Sequence, residues 1–359
     1  MKISYKFKHV FIITISVIVV LLLIIILFHK LFHSDDQFIF SPFPQSVTER
    51  HWINIVIDST KTLREFNGNI LFQPFNIRLD NNGDVYFLDA ARSSLIRLNN
   101  DRREYTQIGK GKGEGPGEFR HPIDYSITIN DFIVICDAQN LTLTSFNKNN
   151  GEVISFTRLS DIPFRVESFG LNRHLVVHPP RRKELFHIYD SEGTIIKSFG
   201  FYHEDQLRYG VPINTIITSD EKAIYSTFME AGYLISYSEN GLNNYHRYTI
   251  DGTSFPELLV NGSRVRFSPD APYVNLDIDI VGDHVVILSA IESIKYEGEV
   301  VFDIYKKDNG NYISSFRLHY PTEVLNIISF SMTNNSIYTI ELLETGDYVI
   351  RSYYYTLFE

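Results

Sequence analysis

The chain has 359 residues, 44% of them hydrophobic and 14% aromatic, enough to bury the core of one large or two ordinary domains. A single cysteine, Cys136, excludes a disulfide framework within one chain, and a domain of this size needs no such staples in any compartment. Four of the 33 Lys and Arg precede Ser34 and none of the 43 Asp and Glu does, so the chain beyond carries a net charge of −14; that argues against nucleic acid or an anionic membrane surface as a general partner.

Residues 1–9 form a short tail containing Lys2, Lys6 and Lys8. "VFIITISVIVVLLLIIILF", residues 10–28, is an uncharged apolar run. As a helix it would be about 28 Å long, the thickness of the bilayer hydrocarbon. The basic excess on its N-terminal side places the tail in the cytoplasm and the rest of the chain outside, periplasmic or extracellular. No small-residue cleavage site follows, and no cysteine is available for a lipid anchor. The run therefore reads as an uncleaved signal anchor. Residues 29–50, with "SPFPQ", read as an extended, semi-rigid stalk.

From residue 51 to the C-terminus at 359 the pattern is strand after strand, punctuated by "NNG", "KNNG", "SEG", "ENG" and "DNG". With 22 Tyr and 27 Phe the composition favours strands. The runs recur as copies. "NIRLDNNGDVYFLDAARSSLIRLNND" and "PIDYSITINDFIVICDAQNLTLTSFNKNNG" share a strand, a turn, a strand ending in Asp-Ala, a polar turn and a third strand. Six units begin near residues 75, 123, 164, 213, 274 and 324, the spacing of a six-bladed β-propeller. The fold class expected is therefore all-β, a six-bladed β-propeller preceded by a single N-terminal transmembrane helix. The strand "HWINIVIDS" has no unit of its own and is expected to pair with the last blade and close the ring.

"GKGKGEGPGEF", residues 109–119, joins the first two units. A phosphate loop must open a helix, yet "RHPIDYSITI" continues as a strand, and the Walker spacing is missing. Its glycines are read as backbone bends, with Phe119 entering the seam between blades. "GKGEGPGEFRHP" followed by "DFIVICDAQNLTLTSFNKNNGEVI" resembles the NHL-repeat and TolB-like six-bladed propellers, in particular exported bacterial ones in which a G-x-G-P-G-E-F element precedes a blade. The resemblance implies fold and export and leaves chemistry open, because propellers host many functions. Many members of that group are lipoproteins; this chain has an apolar anchor instead.

Candidate ligand-binding residues come from the first strand of each unit, which in a propeller lines the central channel. They are Arg78, Asp124, Arg165, Glu167, Asn214, Asn275, Asp277 and Asp279. In "VNLDIDIV", Asn275, Asp277 and Asp279 alternate with apolar residues and should form one polar row, lining the channel or its mouth, or else a solvated strand face or an inter-blade hydrogen-bond row. Such oxygens suit a divalent cation such as calcium, with Asp277 the best candidate ligand. Channel metals in gluconolactonase-like hydrolases sit on Glu, Asn and Asp; Glu167, Asn214 and Asp277 match in type, although their local motifs do not. His174 and His178 in "HLVVH" would lie about 13 Å apart in a strand, too far for one ion. Asp89 and Asp137 recur at strand ends, where a carboxylate accepts backbone N–H bonds from the following turn. No nucleophile elbow, H-E-x-x-H or Walker pattern is present. The expectation is a membrane-anchored, exported binding module for a protein, peptide or glycan, without catalysis, cofactor or nucleic acid. Residues 251–273 are its candidate contact loop, and a metal-assisted hydrolase or lyase with its site in the channel is the alternative.

Overall fold

The computed structural model describes residues 42–66, 73–99, 105–128, 131–169, 172–201, 214–220, 222–261 and 264–358. The tail, the apolar run of 10–28 and most of the stalk lie outside these residues. Among the described residues no helix is long and apolar enough to cross a membrane.

The first strand, β1 (Asn54–Phe66), is used last and is described below. Blade one is β2 (Pro74–Leu79), β3 (Val85–Asp89), β4 (Ser94–Leu98) and β5 (Tyr105–Ile108). Blade two is β6 (Pro122–Ile127), β7 (Phe132–Asp137), β8 (Thr142–Asn147) and β9 (Val153–Arg158). Blade three is β10 (Arg165–Ser168), β11 (Arg173–Val177), β12 (Glu184–Asp190) and β13 (Ile195–Phe201). Blade four is β14 (Thr215–Ser219), β15 (Ala223–Phe228), β16 (Ala231–Ser238) and β17 (Asn243–Tyr248). A two-stranded hairpin, β18 (Leu258–Asn261) and β19 (Arg264–Phe267), occupies the following insertion. Blade five is β20 (Asn275–Val281), β21 (His284–Ser289), β22 (Glu299–Lys306) and β23 (Tyr312–His319), with a single helical turn, α1 (Ala290–Ser293), between its second and third strands. Blade six is β24 (Val324–Met332), β25 (Ser336–Leu343) and β26 (Tyr348–Phe358), completed by β1 as its outer strand.

Each blade is a four-stranded antiparallel meander, and together they make a six-bladed β-propeller. The blades pack face to face, so their middle strands are buried on both sides. That is why "VYFLD" and "AIYSTF" are closed to solvent along their whole length, while the outer strand β5 is exposed at three of its four residues. The apolar clusters lie between neighbouring blades. One joins Tyr86, Leu88 and Leu95 of blade one to Tyr125, Ile133 and Phe146 of blade two. Another joins Phe302 and Phe316 of blade five to Phe330 and Tyr353 of blade six. The turn between third and fourth strands repeats a positive-φ glycine at Gly151, Gly193, Gly241 and Gly310, a conformation that a Cβ would disfavour.

The ring closes through β1, which pairs antiparallel with β26 from Asn54↔Phe358 to Phe66↔Tyr348. Leu63 of β1 enters the cluster that joins blade six to blade one. The residues before β1 depart from a free stalk: Phe43 exchanges backbone hydrogen bonds with His246 and Tyr248 on the outer strand of blade four. His51 and Ile53 do the same with Ser315 on the outer strand of blade five. Residues 42–53 thus strap two outer strands and blunt edges that would otherwise invite pairing.

Candidate functional site

Six inner strands surround a central cavity of about 170 Å³. Arg78 and Asn76 enter from β2, Asp124 from β6, Arg165 and Glu167 from β10, Thr218 and Ser219 from β14, Asp277 and Asp279 from β20, and Ser329 and Ser331 from β24. Six of the eight residues expected to line the channel therefore do so: Arg78, Asp124, Arg165, Glu167, Asp277 and Asp279.

Most of these polar groups are engaged by a neighbouring blade. The Asp277 carboxylate accepts from the Ser329 hydroxyl at 2.6 Å and the Phe330 N–H at 3.0 Å. Two residues on, Asp279 repeats this with Ser331 and the Met332 N–H at 2.9 and 2.8 Å. Asp124 accepts from Asn76 Nδ2 of blade one and from the Val166 N–H of blade three. Glu167 takes the Arg78 guanidinium at 2.5 Å on one oxygen, and the hydroxyls of Ser126 and Ser219 on the other. The Ile77 N–H donates to Ser329 and passes the pattern from blade six back to blade one. Blade four is joined to blade five by Asn275, whose Nδ2 donates to Thr227 Oγ1, Phe228 O and Ala231 O. The result is a girdle of side-chain hydrogen bonds across every junction of the ring.

Burial works against these charges. It pushes Asp277 up to about 6, against the Ser329 hydroxyl and the Phe330 amide, which favour the carboxylate. Burial likewise raises Asp279 and Glu167, with the Arg78 guanidinium pulling Glu167 the other way.

Two expected positions fall elsewhere. The polar row of β20 is broken, because the ladder with β21 shifts register between Asn275 and Asp277. A bulge of this kind turns the side chain before it out of phase with those after it. Asn275 is accordingly buried in the seam with blade four rather than in the channel. Asn214 is exposed and lines a separate pocket between blades two, three and four, with its Nδ2 donating to Glu230. Glu167, Asn214 and Asp277 are therefore not brought together as an ion site. Among the described residues no three His, Cys, Asp or Glu side chains converge as metal ligands. His174 and His178 point to different partners: Ser168 Oγ for the first, Ile162 O and Tyr189 OH for the second. Burial holds His178 at about 4, so its ring stays neutral near pH 7.

The fold likeness is measurable. One similar solved structure, a protein from Bacteroides fragilis described as exported, superposes with a TM-score of 0.57 at 14% identity, over 89% of this chain and 99% of that one. The Cps50 (Swd1) β-propeller domain of Myceliophthora thermophila gives 0.49 at 10% identity, over 82% and 99%. A virginiamycin B lyase from Staphylococcus aureus gives 0.46 at 11%, over 77% and 80%. Likenesses this distant speak to the propeller fold alone. No family model matches the chain, and no curated protein does.

The glycine-rich connection folds onto itself. Lys110 N–H donates to Gly117 O and Phe119 N–H to Gly111 O, while Glu118 accepts from the amides of Glu114 and Gly115. Amides spent inside the loop cannot cradle a phosphate. Phe119 is fully buried in the seam of blades one and two. Asp137 accepts from the amides of Arg120 and His121 before the blade and from those of Gln139 and Asn140 in the turn after its strand. Asp89 does the same more loosely, with Gln73 and Ala91.

Antiparallel alternation brings the inter-blade connections and the turns between second and third strands out on one face of the ring. On that face blades four to six carry exposed apolar side chains: Tyr273 in the insertion, Ile294 after α1 and Leu325 at the start of β24. Leu259 and Val260 of the inserted hairpin are exposed as well. The insertion is tied to the strap by Arg50, which reading the sequence did not find. Its guanidinium bonds Asp251 at the base of the insertion, Glu292 of α1 and Asp303 of β22, all at 2.8–2.9 Å. No sequence signal marks this cluster, because its carboxylates lie more than 200 residues from Arg50.

Proposed function

We propose that the protein is a membrane-tethered, exported, non-catalytic module that binds a protein or peptide on the loop face of blades four to six. The observation that carries this reading is the division of labour within the ring. The acidic side chains of the channel are held by donors of adjacent blades, and exposed apolar side chains are presented on the loop face instead. A cation or substrate in the channel would have to compete with these donors for the carboxylate oxygens. Exposed aliphatic groups rimmed by polar residues suit a polypeptide partner better than a glycan, whose rings stack on aromatic platforms. The tether rests on the apolar run of 10–28 and the basic residues before it. Export agrees with the description of the similar structure from Bacteroides fragilis.

The test is capture of partners from envelope extracts on the immobilised full chain, beside the variant Val260→Asp/Ile294→Asp. A partner that binds the parent chain and is lost from the variant, with thermal unfolding unchanged, is the expected result. Equal recovery on both would remove this face from the proposal.

A further inference from the structure

We infer that Arg165 anchors the carboxylate of a C-terminal or N-acylated amino acid in a side pocket of the loop face. The pocket, about 280 Å³, lies between blades two, three and four. This site goes beyond the proposed docking face, since it shares no residue with it.

Its lining includes the apolar side chains of Ile123, Ala138, Phe164 and Val177, together with His121 and Thr215. Arg165 lines both this pocket and the central cavity. Its Nε donates to Thr215 O at 3.0 Å and its Nη1 to Phe164 O at 3.0 Å, which fixes the guanidinium plane. A guanidinium has five N–H donors, so three are left without an acceptor among the described residues. It makes no ion pair among the described residues, although Asp124, Glu167, Asp277 and Asp279 line the same central cavity; Asp124 and Glu167 pair with Arg78 instead. Guanidinium donors left unused beside an apolar side pocket are the observation that points to an anionic ligand.

The rest of the pocket narrows the class. One cation matches a monovalent carboxylate better than a phosphate dianion. The apolar walls suit an aliphatic side chain next to that carboxylate. Asn214 spends its amide nitrogen on Glu230 at 2.5 Å, so its oxygen remains as acceptor for an amide N–H. Carboxylate, aliphatic side chain and amide N–H meet on one carbon in the last residue of a peptide and in an N-acylated amino acid.

The probes are N-acetyl-L-leucine, N-acetyl-L-leucinamide and the peptide acetyl-Gly-Gly-Ala-Leu, titrated calorimetrically into the full chain in detergent. The acid should bind and the amide should bind at least about tenfold more weakly, the loss of one charge-assisted hydrogen-bonded pair. Arg165→Gln should weaken the acid by a similar factor, and Arg165→Lys should restore part of it. A peptide binding tighter than the acid makes the source a chain terminus; equal binding makes it a free acylated amino acid, and both support the site. Equal affinity for acid and amide, no heat from either acid at millimolar concentration, or an unchanged affinity in Arg165→Gln would each overturn it. The acid–amide comparison needs no variant, so a poorly folding Arg165→Gln leaves the test intact. Loss of partner capture by Val260→Asp/Ile294→Asp bears on the docking face alone.

Discussion

At Asp277 two blades act on one carboxylate in opposite directions. The channel's burial favours the neutral acid, while the Ser329 hydroxyl and Phe330 amide favour the anion, and the balance sits at about 6. In the unfolded chain the same group titrates near 4. Below pH 4 the group is protonated in both states, and folding keeps the full advantage of the neutral form. As pH rises from about 4 to about 6 the unfolded chain ionises first and stability falls; above 6 that contribution is gone. At 1.36 kcal/mol per unit the fall amounts to at most about 3 kcal/mol. Asp277→Asn lacks this titration. Denaturant unfolding at pH 4 and pH 7 should therefore show the wild type losing ground to the variant by up to that amount, and a gap constant with pH would contradict the assignment. Arg50 is the opposite case, a cation that holds three carboxylates together. Arg50→Met leaves Asp303, 1% exposed, with its negative charge uncompensated, and should cost about 3–5 kcal/mol. A double-mutant cycle with Asp303→Asn measures how much of that cost belongs to the pair, and a coupling near zero would refute the clamp.

Among the elements, the 109–119 connection shows how the local sequence dictates a seam. Gly109 has φ +101, and a Cβ there would meet the Phe119 ring at 2.8 Å, whereas Gly111, at φ +84, faces open space. Gly111→Ala should cost only the left-handed backbone penalty, about 1–2 kcal/mol. Gly109→Ala adds displacement of a ring that is fully buried, and Phe119→Ala should cost about 3–5 kcal/mol. Thermal unfolding of the three variants should rank them in that order; a Gly109 variant as stable as the Gly111 variant would count against the packing. The same element shows what the sequence makes legible. Because blades pack on both faces, each inner pair of strands is a short apolar run bounded by turn residues, and the six starts are readable within about two residues of β2, β6, β10, β14, β20 and β24. What was not legible depends on tertiary register. The bulge that sends Asn275 into a seam leaves "NLDIDIV" looking like an unbroken alternation. The hairpin β18–β19 and the turn α1 are too short to announce themselves. The Arg50 cluster assembles only once the ring has closed.

For the whole molecule, closure is the decisive physical event. Five blades are continuous in sequence; the sixth borrows β1 from nearly 300 residues away, through eleven paired positions with β26. Without it β26 would present a long unpaired edge, and the cluster between blades six and one would lose Leu63. Non-local pairing of this kind forms late, since the loop entropy it costs is recovered only when the ladder is made. The strap of residues 42–53 adds backbone bonds to blades four and five and the Arg50 clamp. It follows that chain ends should matter unequally. A chain starting at residue 42 keeps strap, clamp and closing strand, and should unfold in one cooperative transition as a monomer. A chain starting at residue 67 keeps every residue of blades one to five and three strands of blade six, yet should open at the unpaired β26. Size exclusion would then show aggregates or strand-exchanged dimers, and adding a synthetic 42–66 peptide should restore the monomer. If the 67–359 chain were monomeric and within about 1 kcal/mol of the longer one, the ring would not owe its stability to β1, and the reading of the strap as a structural tie would fall with it.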